Sequence, residues 1–343
     1  MSGPARPATV RVTEHGPARS TLDIRQTHSL PARLTDDRSG RSAERVGCEI
    51  VSRVRLYPGV ARIDFETEIN NGAEDHRLGV HFPTGIGADR SSAEQHFGVI
   101  ERPIGLPDFD DDWLETPVAT YPQKAFVDIS DTTRGMMIAN RGLPEYEALP
   151  EADGSITIAL TLLRCVSWLS RDDLRTRRGH AGPPLFTPGA QMPGRWTFHY
   201  SIIPHTGGRE TAYREAHRFL RPLRAVRTAR GSGVLPMEGS LIDIDPPEIV
   251  LSALKTAEDD DGIIARVYNI ASRAVEGSLR FNQPFSRVER TDLNEERAEG
   301  VAVEDGVVKL ELRPNEIATL KFSTGMWRIA LPAGRLQAST NGQ

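Results

Sequence analysis

Cysteine is almost missing from this 343-residue sequence. There are two, Cys48 and Cys165, each in an apolar strand-like run and neither in a CxxC or Cys/His cluster. That argues against a structural zinc knot or a dense disulfide framework, and two buried free thiols are the simplest expectation. Long apolar runs are lacking as well. No stretch reaches the ~18 consecutive apolar residues of a membrane span, and residues 1–12 carry no apolar signal core, so a cytoplasmic location is expected. Nor is there an excess of one charge: 42 Lys and Arg face 47 Asp and Glu, interspersed along the chain, for a net charge of −5. Without a basic stripe to displace counterions, nucleic acid is not an expected partner, and neither is a membrane.

Motifs of known chemistry are equally scarce. The nine histidines show no HxH, HxxxH or HExxH spacing; His76 and His81 are five apart, which on a strand turns them to opposite faces. His199 and His205 are six apart but interrupted by Pro204. There is no GxSxG elbow, and Gly85-Ile86-Gly87 lacks the third glycine and the following helix of a dinucleotide loop. Asp259-Asp260-Asp261-Gly262 has neither the alternating ligands nor the distal Glu of a calcium loop, and reads as a hairpin tip.

What the chain does have is turn residues and alternation. Gly 30 and Pro 24 together make about 16% of it, a turn-rich share. Residues 1–20 are polar and Pro/Gly-punctuated, and read as a ragged boundary rather than a core element. From Ser20 onward apolar residues fall on every second position, as in Thr21–Ile24, Cys48–Leu56 and Ala61–Ile69, the period of a strand with one wet face. Tyr57-Pro58-Gly59-Val60 is a Pro-Gly turn that should join two of these as a hairpin. Further strands are expected at Leu78–Pro83, Lys124–Asp128, Gly135–Ala139, Ser155–Leu163, Arg195–Pro204, Gly262–Asn269, Gly277–Phe281, Gly306–Leu312 and Glu316–Phe322. Strands so spaced, without intervening helices, predict antiparallel sandwiches.

One segment departs from period two. Ala212, Ala216, Phe219, Leu220 and Leu223 recur at three and four, so a helix is expected from Arg209, ended near Pro222. The Arg-, Gly- and Ser-rich stretch after it reads as a linker. The expected division is residues 1–208 as a large sandwich, 209–240 as helix and linker, 241–332 as a small sandwich, and 333–343 as a polar tail.

Residues 108–113, Asp-Phe-Asp-Asp-Asp-Trp, form the densest carboxylate cluster, flanked by aromatics. A ring that stacks on sugar C–H faces beside carboxylates that accept hydroxyl protons is one way to build a sugar-binding surface. Trp113 is a substrate-facing candidate on that reading; the plainer one is a solvated loop with one anchored Trp.

Three stretches carry a family resemblance. The first runs from Glu44-Arg45-Val46-Gly47-Cys48-Glu49-Ile50-Val51-Ser52 through Leu56-Tyr57-Pro58-Gly59-Val60 and Asn70–Leu78 to Phe82-Pro83-Thr84-Gly85. The second runs from Leu163-Arg164-Cys165-Val166-Ser167-Trp168 to Leu174, then Arg177-Arg178-Gly179-His180-Ala181-Gly182-Pro183, Thr187–Gln191 and Trp196–His205. The third comprises Leu251–Asp259, Tyr268-Asn269 and Arg313–Leu320. In this order they resemble the C-terminal, all-β half of glycoside hydrolase family 38 α-mannosidases, over about residues 14 to 323.

The resemblance implies a mainly β fold: a large antiparallel super-sandwich like that of galactose mutarotases, followed by a smaller β-sandwich. It implies a C-terminal portion of an α-mannosidase, binding carbohydrate or completing a catalytic subunit, not hydrolytic alone. The family's nucleophile, acid/base and zinc belong to an N-terminal α/β domain with a His-x-Asp motif. His-x-Asp occurs nowhere in this sequence, so no catalytic residue and no metal ligand is assigned, and zinc is expected only in the missing domain. What carries over is the loop Arg171-Asp172-Asp173 to Arg178-Gly179, which resembles the loop these enzymes turn toward the sugar. Arg171, Asp172, Asp173 and Arg178, with Gln191 after the Pro-Gly turn, are the further substrate-facing candidates. An internal salt-bridge network bracing the loop is the competing reading. Expected partners are mannosides and a separate catalytic α/β subunit or a second copy of the chain. Two other roles stay open, a freestanding carbohydrate-binding sandwich and an enzyme of mutarotase or lyase type, the latter requiring a His and a Glu to converge on one sheet face.

Overall fold

The computed structural model describes residues 5–206, 208–228, 237–296 and 298–323. The chain divides into two compact units, Met1–Arg230 and Gly231–Gln343. The expected tail 333–343, and part of the expected linker, lie outside the described residues.

In the larger unit the strands are β1 (Thr9–His15), β2 (Ser20–Pro31), β3 (Arg45–Leu56), β4 (Ile63–Asn71), β5 (Arg77–Pro83), β6 (Arg90–Gln95), β7 (Gly98–Pro103), β8 (Thr120–Pro122), β9 (Phe126–Ser130), β10 (Arg134–Asn140), β11 (Glu145–Pro150), β12 (Ile156–Arg164), β13 (Asp173–Leu174), β14 (Arg177–Arg178) and β15 (Gly194–Thr206), followed by the helix α1 (Arg209–Leu220). Nine strands make one antiparallel sheet in the order β1-β2-β3-β4-β15-β10-β9-β6-β7, and four make a second in the order β5-β12-β11-β8. The predicted Pro-Gly turn does join β3 to β4 as a hairpin, with Arg55 opposite Asp64.

The core lies between the two sheets. Cys48, Ile69, Val127, Ile138 and Tyr200 from the large sheet pack with Phe82, Tyr146, Ile158 and Leu160 from the small one. β12 is buried almost throughout, as a central strand covered on both faces must be. Cys48 and Cys165 are both buried and unpaired, and burial pushes both thiols up from their usual range.

Residues 1–20 are more ordered than their composition suggests. Thr9–His15 pairs with β2 and forms the edge of the large sheet, exposed along its whole length. Val10 and Val12 alternate with polar neighbours there, but the run is two residues long and both are exposed, so it does not stand out from the surrounding Pro/Gly-rich stretch.

The predicted helix is present, and it packs on β9, β10 and β15 of the large sheet. Tyr213, Ala216 and Phe219 are buried against that face, where Tyr213 meets Phe126 edge-on at 5.4 Å. Arg141 caps its last turn, donating from Nε to the Phe219 carbonyl at 3.1 Å while its guanidinium lies 4.4 Å from the Phe219 ring centroid.

The smaller unit is a sandwich of its own. β16 (Ile242–Asp245), β19 (Val275–Phe281), β22 (Val303–Glu304) and β23 (Val307–Leu312) form one sheet, ordered β16-β19-β23-β22. β17 (Ile249–Thr256), β18 (Ile263–Asn269), β20 (Arg287–Thr291), β21 (Glu299–Gly300) and β24 (Ile317–Ser323) form the other, ordered β17-β18-β24-β20-β21. Val267, Leu279, Val308, Leu312, Leu320 and Phe322 fill its core. Asp259–Gly262 is the tip of the β17–β18 hairpin, where Asp260 accepts from the Gly262 amide and pairs with Lys321 at 2.7 Å.

Candidate functional site

The long connection from β12 to β15 is a two-armed loop. Its outgoing and returning arms are stitched by Leu169 N–H to the Leu185 carbonyl at 2.9 Å, by Thr187 N–H to the Ser167 carbonyl at 2.7 Å, and by the tilted rings of Trp168 and Phe186 at 5.4 Å. The buried Ser170 hydroxyl accepts from the amides of Ala181 and Gly182 at 3.0 and 3.2 Å. At the far end the chain turns back as the short β13–β14 hairpin.

Its base is fixed by Gln191, which is buried with its side-chain amide fully engaged. Nε2 donates to Asp75 Oδ1 at 2.8 Å and to Ser167 Oγ at 2.7 Å, and Oε1 accepts from the Asp75 amide at 2.9 Å. Burial works to raise the Asp75 carboxyl, but the hydrogen bonds from Ser167 and Gln191 outweigh it and hold the group below its usual value. Gln191 thus anchors the loop from a buried position, with both of its side-chain donors spent within the protein.

Arg171, Asp172, Asp173 and Arg178 come together at the tip. Arg171 grips Asp173 with both Nε and Nη2 at 2.7 Å, and Arg38 approaches the same carboxylate at 3.5 Å. The Arg171 fork takes the Asp173 carboxyl down to about 2. Asp172 lies 3.7 Å from His180. Arg178, opposite Asp173 in the hairpin, is exposed, and its guanidinium has no hydrogen bond or ion pair among the described residues. The bracing network and the free cation therefore coexist: Arg171 and Asp173 supply the brace, and Arg178 is available.

Trp113 joins this group through its own loop. Thr116 N–H donates to the Thr176 carbonyl at 2.7 Å, Glu115 and Arg177 form an isolated antiparallel bridge, and their side chains pair at 3.6 Å. This docks the 105–118 loop onto the hairpin at residues 115–116 and leaves Trp113 half exposed (50%), with Phe109 and Leu114 also exposed. Nothing in the sequence spacing of the two loops signals that they join.

The mutarotase reading required a His and a Glu on one sheet face. His199 and Glu66 are cross-strand partners on the face of the large sheet turned away from the core. Glu66, however, has both carboxylate oxygens engaged, by Arg53 at 2.7 Å and Arg55 at 3.0 Å, so it is held as a charged strut and not as a base. Burial, with help from Arg141, depresses His199. Among the described residues no three His, Cys, Asp or Glu side chains gather to hold a metal ion. Nor is any helix among them long and apolar enough to cross a membrane.

Two antiparallel sandwiches thus follow one another along the chain, the first carrying a braced polar loop between β12 and β15. Residues 4–175 match the "Glycosyl hydrolases family 38 C-terminal domain" and residues 248–320 the "Glycosyl hydrolases family 38 C-terminal beta sandwich domain". The chain belongs to glycosyl hydrolase family 38, as a C-terminal region of an α-mannosidase-like protein.

A putative mannosylglycerate hydrolase of Halalkalibacterium halodurans is 30% identical over 332 residues, covering 92% of this chain and 34% of the relative. Alpha-mannosidase G of Dictyostelium discoideum is 24% identical over 264 residues, covering 76% and 21%. The crystal structure of an alpha-mannosidase from Enterococcus faecalis superposes with a TM-score of 0.76 at 31% identity, over 92% of this chain and 35% of that one. The chain thus spans about a third of the length of its curated bacterial relative and of this solved structure.

Proposed function

We propose that this chain completes an α-mannosidase-type glycoside hydrolase by presenting its loop tip to a mannoside held on a catalytic α/β partner, without hydrolytic activity of its own. The observation that carries this reading is the junction at Thr116 and Thr176, which joins the loop bearing the exposed Trp113 to the braced hairpin bearing the uncommitted Arg178. An indole face suits the C–H surface of a pyranose, and a guanidinium suits its hydroxyls. The brace matters because a pre-ordered loop loses little conformational freedom when it engages a ligand. Zinc and the reacting carboxylates belong, on this reading, to the catalytic partner. We place the protein in the cytoplasm, a view supported by its two unpaired thiols.

The test is hydrolysis of an aryl α-mannoside with zinc present. The chain alone should show background turnover, and a separately produced N-terminal catalytic portion of a family 38 relative should gain activity when the chain is added. Arg178→Ala and Trp113→Ala should each reduce that gain by about tenfold, a change of roughly 1.4 kcal/mol in transition-state stabilisation. Turnover by the chain alone would overturn the assignment, and a gain indifferent to both substitutions would remove the loop tip from it.

A further inference from the structure

The face of the nine-stranded sheet turned away from the core carries a second polar site, built from other residues than the loop tip. Strand register places Arg25, Val51, Glu68 and Thr197 in one row across β2, β3, β4 and β15. Glu49, Asn70 and Arg195 form the next row across β3, β4 and β15. A cavity of about 190 Å³ opens where these rows meet. Its floor is Val51, an apolar side chain on an otherwise charged face, left only 8% exposed by the polar groups around it.

Two kinds of group line this slot. Arg53 is already fixed, held by Glu66 at 2.7 Å and by Glu68. Glu49, Asn70 and Arg195 are exposed, and their side chains have no hydrogen-bond or ion-pair partner among the described residues. Glu49 and Arg195 stand two strands apart, roughly 9.5 Å at the usual interstrand spacing, with Asn70 between them. That span holds a pyranose ring edge with an acceptor at one end and a donor at the other.

We propose that this slot is a neutral-saccharide subsite, in which one ring hydroxyl donates to Glu49, another accepts from Arg195, Asn70 serves either, and Val51 supports the apolar ring face. The balance of charge selects the class. An anionic ligand meets Glu49 and Glu68, and a cationic one meets Arg25, Arg53 and Arg195. A neutral polyol, able to donate and accept at each hydroxyl, satisfies both signs. A preformed concave site with convergent polar groups over an apolar floor is the usual form of a small-ligand pocket.

The proposal goes beyond the loop-tip reading and is tested without a catalytic partner. Methyl α-mannopyranoside and its gluco and galacto counterparts are titrated into the full chain by saturation-transfer NMR. Saturable millimolar binding of at least one is expected. Glu49→Ala and Arg195→Ala should each weaken it about tenfold, with unchanged thermal midpoints because both residues are exposed, while the double substitution Trp113→Ala/Arg178→Ala should leave it intact. With glucuronate titrated alongside as an anionic control, the proposal is overturned by no binding of any of the three glycosides, by binding indifferent to both slot substitutions, or by tighter binding of glucuronate than of the neutral sugars. Binding lost only with the Trp113 and Arg178 substitutions also overturns it, and would assign the sugar to the loop tip instead.

Discussion

Over β6, β9, β10 and β15 the outer face of the large sheet lies under α1, whereas over β2, β3 and β4 the same face is open and laced with ion pairs. The covered half is mixed, with Phe126, Met137, Ala139 and Ile203 buried among Glu94, Asp128, Ser201 and His205, whereas the open half is almost wholly charged. Under the helix, Glu94 is fully buried; its Oε1 accepts from the Tyr213 hydroxyl at 2.7 Å and pairs with His217 Nε2 at 2.8 Å, and the Tyr213 and His217 rings stack at 4.5 Å. On the open half, Arg53, Arg55, Glu66 and Glu68 pair across strands at the surface. The difference teaches that polar groups on one sheet face become a buried latch where apolar neighbours let a helix dock, and a surface ladder of ion pairs where the face is charged throughout. A buried carboxylate left without its partners costs far more than a surface pair is worth.

Substitutions on the two halves should separate them sharply. Removing the buried ring in Tyr213→Ala should cost about 3–5 kcal/mol, through the cavity and the lost Glu94 donor; calorimetric or urea unfolding would measure it. A loss below 1 kcal/mol would mean that α1 contributes little to this face. Gly135→Ala comes next. A Cβ there would sit 2.2 Å from the His205 ring and 2.9 Å from Ser130 Cβ, and His205 is itself held by Asp128 at 2.9 Å. Overpacking of about 1–3 kcal/mol is expected, read as a lowered urea midpoint at unchanged slope.

Tyr213→Phe keeps the ring and removes only the hydroxyl, so it isolates the latch at about 1–3 kcal/mol. Equal stability of Tyr213→Phe and wild type would show that His217 alone satisfies Glu94. On the open half, effects should be smaller. Arg55 holds the Glu66 carboxyl below its ordinary value of 4.5, against burial, with Arg53 adding to the effect. A carboxyl depressed on folding contributes stability above its unfolded pKa and loses it as pH falls through the folded one. The thermal midpoint should therefore fall below about pH 4.5, and Glu66→Gln should flatten that limb while costing under about 1 kcal/mol at neutral pH. An acid limb unchanged by Glu66→Gln would assign it to other carboxylates. Smallest of all, Arg178→Ala should change stability by less than about 0.5 kcal/mol, so that its effect on sugar chemistry is read on a folded protein.

Much of the fold was legible because apolar alternation reports a strand with one face in the core. β3, β4 and β15 show it, while β12 and β18 read as largely apolar runs because both of their faces are covered, and α1 shows the i, i+3, i+4 pattern of a helix. β6 was not legible, because Arg90–Gln95 offers a single apolar residue, Ala93: Ser91, Ser92 and Glu94 are buried there as well, and the outer face is covered by a helix more than a hundred residues later. β1 was missed for the opposite reason, being exposed on both faces. Of the candidate site, the residues of the 171–178 loop were found through likeness to a family, while their division of labour was not visible. Gln191 and Asp173 are engaged within the protein and Arg178 is not, and only coordinates separate them.

The sequence by itself determined that this chain is all-β, that it lacks the His-x-Asp signature, and that its stretches follow the order of a family 38 C-terminal half. Each of these is a local property, carried by residue type at short spacing. Tertiary structure decided which polar residues are buried, that the Trp113 loop docks on the β13–β14 hairpin, and that Glu49, Asn70 and Arg195 share a row above Val51. Those facts depend on register between strands and on packing between segments distant in sequence, and spacing along one chain does not encode them in readable form.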